Sequence, residues 1–334
     1  MTDRTVNTRS PRRPLQPGTS TQVGLLAIVT FLWVVFTTLA PGFTSPMNLF
    51  SVGRSLAIDI VIGFAQMVVL ATGGMNLAVG SIGVCAVMTT GYLLQDLGLP
   101  IPVGLIGGLV LGGLLGALNG VAIVRTGVNA FIITLASASL FLGAMLILTK
   151  ALPYNALPPE LGAFGRLRIG GRVSPLLLIA AAIGAALYVL YRHSVLGRQI
   201  LAAGANPRAA AMSGVPVGQV VVFSHVLSGV LAATAGLMLV TRLGAAMPAI
   251  GGEEWLVPSF LGPVLGGTLL SGGSVAVFGT MIGAALVTSI RSGLLVLQVG
   301  NFWLQLFLGV ILLLAVLADR YRGVFAERRS LQRR

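Results

Sequence analysis

Charge, lysine and cysteine are all scarce in this sequence. Charged residues make up 9% of the 334 residues, and the only lysine is Lys150, in the stretch LTKAL. A phosphate-binding loop of the Walker type needs a lysine between glycine and Ser or Thr, so the chain has no such loop and cannot be its own ATPase. The single cysteine, Cys85, excludes an intramolecular disulfide.

Catalytic motifs are absent as well. No Gly-x-Ser-x-Gly elbow, HExxH pair or cysteine pair occurs, and the two histidines, His193 and His225, are far apart along the chain. We therefore do not expect an enzyme. The only carboxylate inside an apolar segment is Asp59, which Arg54 or Arg291 could neutralise. Because ion-driven carriers usually keep carboxylates in their core, an ion-coupled secondary transporter that uses Asp59 is one alternative.

Apolar residues dominate what is present. They account for 56% of the chain, and the mean hydropathy is +0.97. Since a helix needs about 20 apolar residues to cross a bilayer, the sequence predicts an all-α polytopic membrane protein with about ten transmembrane helices. An even number places both termini on one side of the membrane. The predicted spans are 22–40, 55–72, 77–95, 101–124, 130–150, 175–191, 218–241, 255–270, 274–296 and 302–318.

The net charge of +13 is distributed unevenly along the chain. If both termini are cytoplasmic, most basic residues lie on the cytoplasmic side, which agrees with the positive-inside rule. This pattern predicts anionic membrane lipid, and not nucleic acid, as their partner. We expect residues 1–20 to form a disordered cytoplasmic tail, residues 21–319 the transmembrane domain, and residues 320–334 a basic cytoplasmic tail.

Two motifs recur in the same order along the chain. GGMNLAVGS at 73–81 is matched by GGEEWLVPS at 251–259, and LFLGAMLIL at 140–148 is matched by LFLGVILLL at 306–314. Five helices separate the first pair, so helices 2–5 and 7–10 are predicted to form an inverted repeat. Such repeats build transporters whose pathway lies between the two halves. A duplicated scaffold without a transport role is the alternative.

The chain has no ATPase motif of its own, so we expect a cytoplasmic partner to supply the energy. The longest predicted cytoplasmic loop, residues 192–219, is the expected contact with that partner. Its pattern predicts two short helices joined by a turn, with Asn206 capping the second helix and Pro207 in its first position. The second helix, 207–213, would present Ala209, Ala210 and Ala211 as a small knob for a cleft on another protein.

Four stretches carry a resemblance to a known family. GGMNLAVGS, LNGVAIVRTGVNAFIITL at 118–135, AAGANPRAAAMSGV at 202–215 and LGGTLLSGGSVAVFGTMIGA at 265–284 resemble the ribose/xylose-type permease family of bacterial ABC importers. The resemblance runs from about Pro46 to Asp319.

This resemblance implies a type II ABC importer fold in the bacterial inner membrane and a homo- or heterodimer of permease subunits. It also implies two cytoplasmic ATPase subunits that bind ATP and magnesium, with no cofactor in this chain. A periplasmic or lipid-anchored sugar-binding protein would deliver a monosaccharide or sugar alcohol. A related permease for branched-chain amino acids is the close alternative.

Three groups of site residues follow. Weak hydrogen bonds from amides and hydroxyls suit a sugar pathway, and basic side chains suit an acidic docking surface. The resemblance places coupling to the ATPase at Gly204, Asn206, Pro207, Ala209, Ala210, Ser213 and Gly214. Candidate pathway residues are Gln66, Asn76, Asn119 and Thr134. Candidate docking residues for the binding protein are Lys150, Arg166, Arg168 and Arg172.

The sequence departs from the family pattern at visible positions. The family usually has GGIDLSVGS, whereas this chain has Asn76 in place of the acid and Ala78 in place of the serine. Arg291 also stands where a small polar residue is more usual. These departures leave open a different sugar, a sugar alcohol or an inactive half of a heterodimer. We expect Asn76 to cap the helix that follows it.

Overall fold

The structure is a computed structural model that describes residues 19–298, apart from Arg172 and Ile250, and a few residues between 303 and 313. The predicted tails at 1–20 and 320–334 therefore lie outside the described residues, except that Thr19 and Ser20 begin the first helix. The tenth predicted span, 302–318, lies largely outside them too.

The described part of the chain is α-helical and contains no β-strand beyond two isolated bridges. Seven of its helices are long and apolar enough to cross a membrane, which confirms a polytopic α-helical membrane protein. The helices are α1 Thr19–Leu39, α2 Pro46–Leu70, α3 Val79–Gln95, α4 Ile101–Thr126, α5 Ala130–Thr149, α6 Pro159–Arg166, α7 Pro175–His193, α8 Val195–Ala205, α9 Pro207–Met212, α10 Val217–Leu243, α11 Leu256–Leu265 and α12 Val277–Val296.

The predicted span 255–270 is wrong in its extent. A 3₁₀ turn, Gly252–Trp255, leads into α11, which has only ten residues and contains Pro263. Proline lacks the backbone N–H that continues a helix, and glycines follow at once, with Gly267 at a φ of +95°. α11 is therefore a half-length helix. α3, with 17 residues, is also shorter than the seven long spans.

α2 is the central helix of the bundle. It begins at Pro46, nine residues before the predicted start of its span, because Ser45 caps it by accepting the Asn48 N–H and proline fits the first turn. Every residue from Ala57 to Leu70 is buried, and α2 packs against α7, α10, α11 and α12. A helix that is apolar and buried all round forms the core of the bundle.

Glycines bring α4 and α10 into backbone contact. Gly108, Gly112, Gly116 and Gly120 are spaced four residues apart on the buried face of α4. A methyl group at Gly112 would lie 2.6 Å from the Gly229 carbonyl oxygen of α10, and one at Gly116 would overlap the His225 carbonyl. Small residues at this spacing allow two membrane helices to approach closely.

A backbone bridge joins two loops at the opposite end of the bundle from residue 71. Tyr154, between α5 and α6, exchanges hydrogen bonds of 2.8 and 2.9 Å with Ala246, after α10. The Tyr154 ring packs on Gly91 of α3. Burial, followed by the nearby Asp96 carboxylate, raises the pKa of Tyr154, so the phenol remains uncharged at neutral pH.

Replacing Gly229 by alanine tests the α4–α10 contact. We expect Gly229→Ala to destabilise the fold by about 1–3 kcal/mol, because the methyl group would overlap the Gly112 carbonyl oxygen. The measurement is the thermal unfolding midpoint of the purified protein in detergent. Gly143→Ala is the matched control, since it is also helical but has open space around the new methyl group. Equal midpoints for the two variants would contradict the prediction.

Candidate coupling and translocation site

Two breaks between helices meet at one end of the bundle. After α2 the chain turns at Gly73, whose φ is +77°, and after α11 it turns through Gly272 and Gly273. The Gly273 N–H donates to the Ala71 carbonyl at 3.0 Å. A methyl group at Gly73 would lie 3.1 Å from the Ser271 carbonyl oxygen. We call residues 71–78 and 266–276 the two broken segments.

Helix α8 rests directly on this junction through Gly204. A methyl group there would overlap the Ala71 carbonyl and lie 2.6 Å from the Gly273 nitrogen. The Gly204 carbonyl in turn lies beside Gly272. A single glycine therefore places α8 against both broken segments, and no larger residue fits at this contact.

The two copies of the repeated motif also touch. Gly80, at the start of α3, lies against the backbone of Gly252, and Gly83 lies against the Trp255 ring. GGMNLAVGS and GGEEWLVPS thus pack on each other. Their relation by an inverted repeat stays a prediction.

One of the four candidate pathway residues, Asn76, lies on the first broken segment, and a second, Thr134, contacts it from α5. The Asn76 amide donates to the Ser228 hydroxyl at 2.9 Å, and its Oδ1 accepts the Ala78 N–H at 3.0 Å. The Thr134 hydroxyl accepts the Leu77 N–H at 3.1 Å. All these side chains are buried. Asn76 does not cap α3 as expected, because that helix begins at Val79 and Asn76 lies three residues before it.

The other two candidates, Gln66 and Asn119, have no hydrogen bonds with these residues. Gln66 is fully buried, and within the described residues neither its Oε1 nor its Nε2 has a partner; the same holds for Nδ2 of Asn119. His225 was missed by sequence reasoning. It packs against Gly116 and Gly120, with Nδ1 2.9 Å from the Val221 carbonyl and Nε2 without a partner in the described chain.

Loop 192–219 contains the two predicted helices, α8 and α9. Asn206 caps α9 as predicted, since its Oδ1 accepts the Ala209 N–H at 3.1 Å, and Pro207 occupies the first helical position. The predicted alanine knob is wrong in one residue, because Ala210 is buried on the inner face of α9. Gly204 is buried too. The other predicted coupling residues are exposed: Asn206, Pro207, Ala209, Ser213 and Gly214.

Met212 is the most exposed large apolar side chain of this loop. It ends α9 and is 90% exposed. Sequence reasoning did not single it out, although a methionine in an otherwise small-residue helix was the available signal. Methionine is flexible and polarisable, which suits it to a protein contact.

The basic docking candidates lie at the opposite end of the bundle. Arg166 and Arg168 are exposed, and Lys150 ends α5 in a left-handed conformation with a φ of +52°. Arg172 lies outside the described residues. Arg168 stacks on the Phe50 ring at 4.6 Å, so α6 and its following loop are joined to the start of α2.

Asp59 is buried and forms an ion pair with a partly exposed arginine. Its carboxylate accepts the Thr288 hydroxyl at 2.7 Å and lies 3.4 Å from the Arg291 guanidinium. Arg291, and not Arg54, is therefore the neutralising partner. No group of three potential metal ligands occurs in the part of the chain that the structure describes.

A helical bundle in which two broken segments meet at one end, against a short surface helix pair, is the architecture of a membrane transport protein. The comparisons identify the family. The sequence profile described as "Branched-chain amino acid transport system / permease component" matches residues 48–317, and the chain belongs to this family.

Several relatives are similar along nearly their whole length. The "Ribose import permease protein RbsC" of Bacillus subtilis is 33% identical over 92% of this chain and 95% of its own. The "D-allose transport system permease protein AlsC" of Escherichia coli is 31% identical over 89% and 91%. The "L-arabinose ABC transporter permease protein AraH" of Azospirillum brasilense is 30% identical over 90% and 87%. No solved structure matches the chain significantly.

The hydrogen bonds of Asn76 generate a stability prediction. We expect Asn76→Ala to lower the thermal unfolding midpoint more than Ser228→Ala does, because only the first change also leaves the buried Ala78 N–H unpaired, at a cost of about 1–3 kcal/mol. The double variant should have nearly the same stability as Asn76→Ala alone, within a few tenths of a kcal/mol. Strictly additive losses would show that Asn76 and Ser228 do not interact.

Proposed function

We propose that this chain is the membrane-spanning permease subunit of a bacterial ABC importer. It forms the translocation pathway for a monosaccharide or sugar alcohol, which a solute-binding protein delivers and partner ATPase subunits drive. The relatives named for ribose, allose and arabinose support the carbohydrate class. The observation that supports the mechanism is the close contact of Gly204 with both broken segments.

The proposed assembly extends beyond the chain itself. Two permease subunits, identical or different, would each have ten transmembrane helices in a type II importer fold, with helices 2–5 and 7–10 as an inverted repeat. Both termini would face the cytoplasm of a cell whose inner membrane holds the complex. Two cytoplasmic ATPase subunits would bind ATP and magnesium, so this chain needs neither a cofactor nor catalytic residues.

Motion would pass from the ATPase to the pathway through α8 and α9. The exposed side of α9, with Met212 at its end, would enter a cleft on the ATPase. When ATP closes the two ATPase subunits, this helix pair shifts. Because Gly204 is in van der Waals contact with Ala71 and Gly273, both broken segments must shift with it. The helix pair is therefore connected to the broken segments by direct contact.

The pathway would be lined by weak hydrogen-bonding groups. Asn76 and Thr134 lie on or beside the first broken segment, so a shift of that segment changes which groups they meet. Gln66 and Asn119 would offer amides to the hydroxyls of a passing sugar. Neutral groups of this kind exchange partners without trapping the solute.

The binding protein would dock at the other face. Arg166 and Arg168 are exposed there, and Lys150 and Arg172 are further candidates for contact with carboxylates on its surface. Ion pairs at an exposed rim mainly accelerate and orient association, with a smaller effect on affinity.

Two alternatives have less support. A permease for branched-chain amino acids agrees with the description of the family profile but not with the names of the three relatives. An ion-coupled carrier would need a carboxylate that can bind and release a cation, whereas the Asp59 carboxylate already contacts Arg291 and Thr288.

Changing the exposed end of α9 tests coupling. We expect Met212→Asp to leave the permease folded and inserted but to reduce ATP-driven sugar uptake by about tenfold, which corresponds to a loss of about 1.4 kcal/mol in coupling. Uptake and ATP hydrolysis would be measured in proteoliposomes that hold the permease with its partner ATPase and binding protein.

The control for this test is Arg125→Gln, an exposed change at the end of α4 outside the α8–α9 pair. Ala210→Arg would not test the exposed side of α9, because Ala210 is buried and the variant would misfold. Unchanged uptake in Met212→Asp would place the ATPase contact elsewhere. An amino acid as the only transported solute would exclude the carbohydrate function.

Reversing the rim charge tests docking. We expect Arg166→Glu with Arg168→Glu to slow association of the binding protein by about tenfold or more at low salt, and the difference from wild type to shrink as salt increases. Association rates would be measured by surface plasmon resonance on the permease in nanodiscs. A salt-independent rate that is equal for both proteins would contradict docking at this rim.

A further inference from the structure

Five arginines gather at the end of the bundle that holds the docking candidates. Arg54 Nη1 lies 3.4 Å from the Gly165 carbonyl, and Gly165 itself packs on the backbone of Thr241 and Arg242. Helices α2, α6 and α10 thus converge at one point. The arginines are Arg54 on α2, Arg166 at the end of α6, Arg168 in the following loop, Arg242 on α10 and Arg291 on α12.

The charges of this arginine cluster are not balanced. Asp59 is the one carboxylate that forms an ion pair with it among the described residues, and Asp59 contacts Arg291. The Gly165 contact places Arg54 close to the Arg242 backbone, and Arg54 and Arg168 lie over the same Phe50 ring at 4.8 and 4.6 Å. Five guanidinium groups therefore have one ion-paired carboxylate among them in the described part of the chain.

The arginines are graded in depth. Arg166 and Arg168 are exposed, Arg54, Arg242 and Arg291 are partly buried, and Asp59, five residues further along α2 than Arg54, is 5% exposed. The Nε of Arg54 is buried and has no partner within the described chain. Like charges repel more strongly as they leave water, so this inner group is costly without an anion.

The inner arginines are tied to neighbouring helices. Asp59, in the buried stretch of α2, contacts Thr288 and Arg291 of α12, and Arg54 contacts the Gly165 carbonyl of α6. Charged residues within transmembrane helices usually mark the path of a substrate or ion. A cluster of charges of one sign attracts ions of the opposite sign.

We propose that Arg54, Arg242 and Arg291 bind the carboxylate or phosphate group of the imported solute. The substrate is then an acidic carbohydrate, such as a sugar acid or a sugar phosphate. The guanidinium group presents a planar fork of donors that matches both oxyanions. This inference rests on the proposed function and narrows its substrate class beyond the sugars for which the relatives are named.

Matched pairs of charged and neutral sugars test this site. The full-length permease in nanodiscs of zwitterionic lipid would be titrated calorimetrically, at constant ionic strength, with D-glucuronate against D-glucose and with D-ribose 5-phosphate against D-ribose. We expect at least one charged member to bind about tenfold or more tightly than its neutral counterpart, with affinity falling as salt is added.

Arginine variants test whether the charged sugar binds at this cluster. Arg54→Gln with Arg242→Gln should weaken binding of the charged sugar by about tenfold or more, since both forks are lost. Arg242→Lys keeps the charge but not the fork and should lie between the double variant and wild type. Arg125→Gln, at the other end of the bundle, should bind as wild type does. If the double variant does not fold, Arg242→Lys alone decides.

Several results would overturn the proposal. One is equal binding within both pairs, and another is binding that the arginine variants leave unchanged. If anionic phosphatidylglycerol in the nanodisc stabilises wild type but not the double variant and displaces the charged sugar, the arginines hold a lipid headgroup. If only the binding protein engages these three arginines, they belong to the docking surface.

The binding measurement does not depend on whether the permease couples to an ATPase. Binding is measured without ATPase or binding protein, so an importer that fails to couple would leave the result unaltered. Conversely, ATP-driven uptake of a neutral sugar that excess glucuronate and ribose 5-phosphate do not inhibit would preserve the permease function and exclude the acidic substrate.

Discussion

The close approach of three backbone segments at Gly204 is the contact on which the rest of the structure depends. The end of α2, the turn after α11 and helix α8 meet there, with the Gly273 N–H bonded to the Ala71 carbonyl. In a membrane, backbone groups outside a helix must find partners within the protein. The broken segments meet part of this need through the Gly273–Ala71 bond and part through the Asn76 and Thr134 side chains, which accept the Ala78 and Leu77 N–H groups. Gly204 allows α8 to cover the junction. Close packing and the hydrogen bonding of backbone groups thus favour the same geometry.

Hydrophobicity along the chain was sufficient to predict the seven long helices, because each is one apolar run long enough to cross a bilayer. It was not sufficient for α11. Its surroundings are equally apolar, but Pro263 and the glycines that follow shorten the helix through backbone chemistry that a hydropathy average does not measure. The cap of α9 was predictable from Asn206 and Pro207, since capping depends on neighbours in sequence.

Contacts between residues far apart in the sequence limited how much of the candidate site could be predicted. Asn76 and Thr134 could be selected by their chemistry, but the bond from Asn76 to Ser228 joins residues 152 apart. Likewise, the local pattern predicts that α9 is a helix, but which side faces α10 depends on where α10 lies, and Ala210 proved to be on the buried side. His225 gave no signal in the sequence, because its environment is created by the glycines of α4.

The two ends of the bundle present different polar groups, and in the proposed pathway this difference would set the order in which a solute meets them. At the arginine cluster the polar groups carry charge, and graded exposure lets solvent offset part of the cost. Around Asn76 the groups are neutral amides and hydroxyls that are fully buried. A solute with both an anionic group and hydroxyls can first meet the charges, where long-range attraction is strongest, and then exchange hydrogen bonds with the neutral groups. A reversed arrangement would place strong charge where release is required, and the solute would be trapped.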